Sequence, residues 1–113
     1  MKSFAVPLRE KGVCAPVTIP AVLREPGDLV DVLKALADPT RLQMVGVLRR
    51  AAEPVCICDF TAAFNLTQPT ISHHMGKLRD AGLVEVTRRG IWSYYRLRPG
   101  LDAKTRALLD LLA

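Results

Sequence analysis

Long apolar runs and cysteine are scarce in this chain, and each scarcity excludes something. No window of about 18 apolar residues occurs, so no membrane-spanning helix is expected. The start, Met1-Lys2-Ser3-Phe4-Ala5-Val6-Pro7, lacks the sustained apolar stretch of a signal peptide, which points to the cytoplasm. The three cysteines, Cys14, Cys56 and Cys58, cannot all pair within one chain. Free thiols are therefore expected rather than a disulfide framework. Groupings that do chemistry are missing too. There is no Cys/His pair with an orienting acid, no phosphate-cradling glycine loop and no carboxylate pair placed for acid–base work. Neither an enzyme nor an organic cofactor is expected. Acidic residues are outnumbered, 11 against 16 Lys and Arg, and the net charge of +5 with a pI near 9.5 suits an anionic partner, most simply nucleic acid.

What is present fits one folded domain behind an arm. The 113 residues, half of them hydrophobic, suit a single core by the usual prior of roughly 100–200 residues per domain. Residues 1–27 read as an N-terminal arm carrying Cys14, because Pro7, Pro16, Pro20 and Pro26 with Gly12 and Gly27 break any regular helix. Residues 28–113 read as the domain. Leu29, Val32, Leu33 and Leu36 recur at helical spacing over 28–37. Asp38 then caps a second helix with Pro39 at its first position, running to about Arg50 with Leu42, Val45 and Leu48 inward. Arg41, Arg49 and Arg50 read as solvated surface groups.

The stretch from Cys56 to Gly82 reads as a helix-turn-helix. A short helical run over 59–64 is stopped by Asn65. Thr67 caps a second helix with Pro69 harmlessly in its first turn, and Gly82 is the left-handed terminator. At about 100° per residue, Ile71, Met75 and Leu78 share the inward face. The outward face carries Gln68, Thr70, Ser72, His73 and Lys77 beside Pro69 and Gly76, a polar surface able to enter a major groove. His74, on the border, reads as a packed or phosphate-contacting group. Two β-rich runs around Arg88-Arg89-Gly90 make a hairpin wing whose two arginines meet phosphates or a minor groove. Pro99-Gly100 separates it from a last helix striped with Leu101, Leu108, Leu109 and Leu112. That stripe and the 28–37 helix are expected to pair with their counterparts in a homodimer. The fold class is mainly α with a β-hairpin wing, a winged helix-turn-helix, and the partner is double-stranded operator DNA.

These residues resemble the ArsR/SmtB family of metal- and metalloid-responsive winged-helix repressors. The resemblance rests on residues 35–42 (ALADPTRL), 55–60 (VCICDF), 68–75 (QPTISHHM) with Leu78, Arg79 and 81–83, and 89–92 (RGIW) with 94–97 (YYRL). It implies a homodimeric repressor that leaves its operator on binding an inducer. Val-Cys-Ile-Cys-Asp-Phe is similar to the Cys-x-Cys-Asp element of arsenite sensors and of cadmium/lead sensors. One arsenite branch adds a third Cys where this chain has Thr61, and the cadmium/lead sensors take two from an arm that here supplies only Cys14. The His and carboxylate site of zinc and nickel sensors is absent, as no His follows His74.

Ligand count then chooses the ion. Cys14, Cys56 and Cys58 offer at most three thiolates, which suits pyramidal As(III) or Sb(III), whereas structural zinc wants four donors. Repressors released by Cd(II) or Pb(II), or by thiol oxidation, are the alternatives. In a regular helix residues i and i+2 point about 200° apart. Both Cys56 and Cys58 can hold one ion only if 55–58 is extended or distorted where the helix begins, and a helix N-terminus there favours thiolate.

Overall fold

Residues 28–112 are described in a computed structural model. The arm 1–27 with Cys14 and the last residue, 113, lie outside the described residues. Five helices and three strands follow in the order α1 (Asp28–Leu36), α2 (Pro39–Arg50), β1 (Val55–Cys56), α3 (Ile57–Phe64), α4 (Gln68–Asp80), β2 (Val84–Arg89), β3 (Trp92–Leu97) and α5 (Ala103–Leu112). This is a winged helix-turn-helix. No helix among the described residues is long and apolar enough to cross a membrane.

Local chemistry sets the helix ends. Asp38 is extended and its carboxylate accepts the Arg41 backbone N–H at 2.9 Å, with Pro39 opening α2. Asn65 stops α3 in the left-handed region at φ 52°, a conformation that Asn tolerates better than most residues. α4 ends in a Schellman motif: Gly82 N–H donates to Arg79 O at 2.9 Å and Leu83 N–H to Leu78 O at 3.0 Å, with Gly82 at φ 78°. Leu78 and Leu83, which bracket that turn, are both fully buried.

The sheet has one strand more than the expected hairpin. β1 pairs antiparallel with β3, giving the order β1-β3-β2. Val55 lies opposite Tyr95 and Cys56 opposite Tyr94. The hairpin turn is Gly90-Ile91, with Gly90 at φ 61°. Arg88 and Arg89 therefore belong to β2 and are not in the turn. They lie opposite Ser93 and Trp92, on alternate faces of the sheet.

The core gathers Val32, Leu36, Met44, Val45, Leu48, Ile57, Phe60, Ile71, Met75, Leu78, Leu83, Val84, Tyr95 and Leu109. Arg41 departs from the surface expectation, whereas Arg49 stays exposed but is ion-paired. Arg41 is committed inside the structure, donating from Nε to the Ala35 carbonyl at 2.6 Å and lying 3.3 Å from His74 Nδ1 through Nη1. Arg49 ties α2 to α5 through Asp110 at 2.9 Å. Arg50 is exposed, as expected. α5 buries less than its leucines suggested: Leu109 and Thr105 are inside, Leu101 and Leu108 are half-buried, and Leu112 is exposed.

Candidate nucleic-acid interface and cysteine pair

α4 is anchored by Ile71, Met75 and Leu78, none of which has any exposed surface. That anchorage turns Gln68, Pro69, Ser72, His73 and Lys77 to solvent. Thr70 is partly withdrawn. Its hydroxyl lies 2.9 Å from the Thr67 hydroxyl, and its backbone N–H donates to the same Thr67 oxygen at 3.4 Å, so it completes the cap before it can meet a base. His74 is half-buried, with Nδ1 3.9 Å from the Asp38 carboxylate and beside Arg41. It joins α4 to the start of α2 and is a packed histidine. The Asp38 carboxyl is held below its usual range, first by the Arg41 backbone N–H and then by the Arg41 and His74 charges.

The wing presents two different faces. Arg89 shares a hollow with Glu53, Thr87, Tyr94 and Arg96, on the side away from α4, where Arg96 is ion-paired to Glu85. Arg88 faces a cleft of about 280 Å³ between the wing and α4. Across that cleft stand Gln68, Ser72, Gly76 and Arg79 of α4, with Ser93 of β3 beside Arg88. The sequence places Gly76 on the outward face of α4, but it assigns no DNA contact to Arg79 or Ser93. Their signal was there in part, because Gln68, Ser72, Gly76 and Arg79 recur at i, i+4, i+8 and i+11 along one helical stripe. Gly76 costs α4 about 1 kcal/mol of helix propensity relative to alanine.

The two cysteines of the Cys-x-Cys element meet where β1 becomes α3. Cys56 is extended, at φ −67° and ψ 143°, and Cys58 lies in the first turn of α3. Their Sγ atoms are 2.8 Å apart, too far for a disulfide bond and too close for two unshielded thiolates. Both are free thiols, Cys56 buried and Cys58 exposed. The Cys58 thiol is pushed above its usual range, first by its hydrogen bond to Cys56, then by desolvation and the charges of Cys56 and Asp59. The favourable effect expected of the helix N-terminus is outweighed there. Thr61, one turn on, donates its hydroxyl to the Cys58 carbonyl at 2.8 Å. Among the described residues no three His, Cys, Asp or Glu side chains cluster closely enough to hold a metal ion. Among the described residues the two sulfurs have no third such neighbour, and Cys14 lies outside the described residues.

Comparison with known proteins matches residues 38–86 to the family described as bacterial regulatory protein, arsR family. The arsenic resistance transcriptional regulator ArsR1 of Pseudomonas putida is 44% identical over 83 residues, covering 70% of this chain and 64% of that protein. The arsenical resistance operon repressor of Escherichia coli is 38% identical over 81 residues, covering 72% of this chain and 68% of the repressor. This chain thus spans just under two thirds of the length of the first relative and just over two thirds of the second. Among solved structures, a homodimeric winged helix-turn-helix DNA-binding domain of Mycobacterium bovis, a possible ArsR-family regulator, superposes with TM-score 0.62 at 28% identity, covering 74% of this chain and 73% of that one.

Proposed function

This chain belongs to the arsR family of bacterial regulatory proteins, and from that premise we propose that it is an operator-binding repressor released by trivalent arsenic or antimony. The observation that carries the reading is the 2.8 Å sulfur pair at the start of α3, the helix that supports α4. A pair this close is satisfied while at least one sulfur keeps its proton and donates it to the other, but two thiolates there repel unless a cation stands between them. A soft, sulfur-seeking ion supplies that positive charge and prefers these donors to oxygen or nitrogen. Cys14 from the arm is the third thiolate, from the same subunit or the partner.

Coupling to DNA follows from where the sulfurs sit. Cys56 is held in β1 by pairing with Tyr94 of the wing strand. Cys58 rides on α3, whose Ile57 and Phe60 are buried in the core beside α4. Respacing the two sulfurs around one ion therefore strains the junction between wing and helix-turn-helix. A hundredfold loss of operator affinity requires about 2.7 kcal/mol of preference for the DNA-free form, within the usual range of allosteric coupling. His73, Lys77, Gln68 and Ser72 face the groove, and Thr70 supports the cap. Arg88 contributes from the α4 side of the wing, and Arg89 from its far edge. A homodimer completes the reader. Leu29 and Leu33 of α1 with Leu108 and Leu111 of α5 line a shallow apolar hollow that a second copy can cover.

The test is operator release titrated with As(III), Sb(III), Cd²⁺ and Pb²⁺ in excess reductant. As(III) and Sb(III) should release the DNA, and Cys56→Ser or Cys58→Ser should abolish the response while leaving DNA binding intact. Cys14→Ser should weaken it. Release by oxidant alone, reversed by reductant, would replace the metalloid with a thiol switch.

A further inference from the structure

The cleft between α4 and the wing differs in charge from the other polar hollows on this surface. The hollow at Arg98 is shared with Asp31, Asp80 and Asp102. That at Arg41 and Lys77 has Asp31 and Asp80, and that at Arg89 and Arg96 has Glu53. The α4–wing cleft brings Arg79 and Arg88 to Gln68, Ser72 and Ser93 with no carboxylate on its walls. Among the described residues neither of its guanidinium groups has an ion-pair partner, whereas Arg49 and Arg96 are tied to Asp110 and Glu85. Two unneutralised cations facing one hollow repel each other, and an anion between them removes that cost.

Gly76 is the second observation. It lies inside the 13-residue helix α4, where glycine weakens a helix. A Cβ placed on it would meet nothing within 4 Å, so no neighbour in the chain requires the missing side chain. Glycine at such a place lets something from outside approach the backbone closely. The open space lies on the same stripe as Arg79, at the cleft.

We propose that this cleft seats one backbone phosphate of duplex DNA, gripped between Arg79 and Arg88 and lying over Gly76. The inference rests on the reading that the protein binds duplex DNA. Guanidinium groups match the paired oxygens of a phosphodiester, and the Ser72 and Ser93 hydroxyls with the Gln68 amide can donate to the remaining lone pairs. Phosphate contacts set register without reading sequence. Arg79, Arg88 and Gly76 are thus positioning residues, and base choice stays with His73 and Lys77.

The experiment measures affinity of the full chain for operator and random duplexes by fluorescence anisotropy across a salt series, together with melting temperature. Arg79→Ala should weaken both duplexes by a similar factor, about tenfold, whereas Arg106→Ala, which removes the same charge from α5, should change neither by more than about twofold. Because the two arginines of each subunit grip one phosphate, Arg79→Ala with Arg88→Ala should lower the slope of log K against log salt by about 1.8 for the two clefts of a dimer, not about 3.6. Gly76→Ala should raise the melting temperature by about 4 °C and still weaken DNA binding about tenfold or more. A stabilised Gly76→Ala that binds DNA as well as wild type overturns the proposal, as does a slope change near 3.6. Inorganic phosphate at matched ionic strength should leave wild-type affinity unchanged. Competition by phosphate that Arg79→Ala abolishes would reassign the cleft to a free oxyanion and overturn it. Wild type that binds neither duplex would instead defeat the DNA-binding reading itself.

Discussion

α4 and α5 are helices of similar kind, 13 and 10 residues long, yet the chain holds them in different ways. α4 sinks Ile71, Met75 and Leu78 completely and closes both ends, with Thr67 before it and the Gly82 turn after it. α5 is also capped: the Asp102 carboxylate accepts the Thr105 backbone N–H at 2.7 Å. Even so it buries only Thr105 and Leu109, and Leu111 remains 81% exposed. Capping therefore does not distinguish them. The difference lies in long-range packing, because α4 is packed against α1, α2, α3 and β2, whereas Leu108 and Leu111 of α5 line an open apolar hollow with Leu29 and Leu33 of α1. A reading helix must be rigid before DNA arrives. On the proposed homodimer, α5 can keep its apolar face open until a second copy covers it.

The comparison can be broken most severely at α4. Leu78→Ala removes a fully buried side chain and should cost about 2–5 kcal/mol in a urea melt. A loss below about 1 kcal/mol would mean that α4 is less firmly held than its burial implies. Asp38→Ala comes next, at about 1 kcal/mol, since that carboxylate caps α2 and approaches His74 on α4. Measured Arg41 or His74 mobility unchanged by this substitution would separate the cap from the link to α4.

Acid sharpens the same point on both sides of the molecule. Asp38 is lowered by the Arg41 N–H, and Asp102 by its hydrogen bonds from Thr105 and then by Lys104. A carboxylate with a lowered folded pKa adds stability that is complete above its unfolded value, near 3.9, and is lost as pH falls through the folded value. Stability should therefore decline below about pH 4. Asp38→Asn keeps a capping oxygen, so its acid melting profile should be flatter than wild type. An identical profile would show that Asp38 carries none of the loss. The smallest effect on unfolding belongs to the face shared by α1 and α5: Leu33→Glu with Leu111→Glu should change monomer stability by no more than about 0.5 kcal/mol per site. The same pair should abolish the rise of melting temperature with protein concentration that a dimer shows. Sedimentation of an intact dimer from that variant would remove this face from the interface.

Much of the reading helix was legible from spacing. Ile71, Met75 and Leu78 are buried where the helical period put them, Asp38 and Thr67 start their helices, and Asn65 and Gly82 end theirs in the left-handed region. The wing was legible as a hairpin, but not the sides taken by its arginines. Moving the turn to Gly90-Ile91 places Arg88 and Arg89 in the strand, and strand alternation then sends them apart. Arg79 lay in plain view on the Ser72–Gly76 stripe. Only the wing's position reveals that this stripe, among several polar ones, faces another arginine.

The sequence by itself determined most helix starts and stops, which face of α4 is apolar and that two cysteines stand at the entrance of the supporting helix, which begins at Ile57 rather than Asp59. Those features depend on neighbours within one or two turns, where propensity, capping and periodicity act. Only the tertiary structure decided that Arg41 is occupied by His74, 33 residues away, and Arg49 by Asp110, 61 residues away. It likewise decided that the Cys56 and Cys58 sulfurs share one side, because β1 is held extended by a strand far along the chain. Contacts of this kind are made by surfaces meeting across the core, and local sequence carries no record of which surfaces those are.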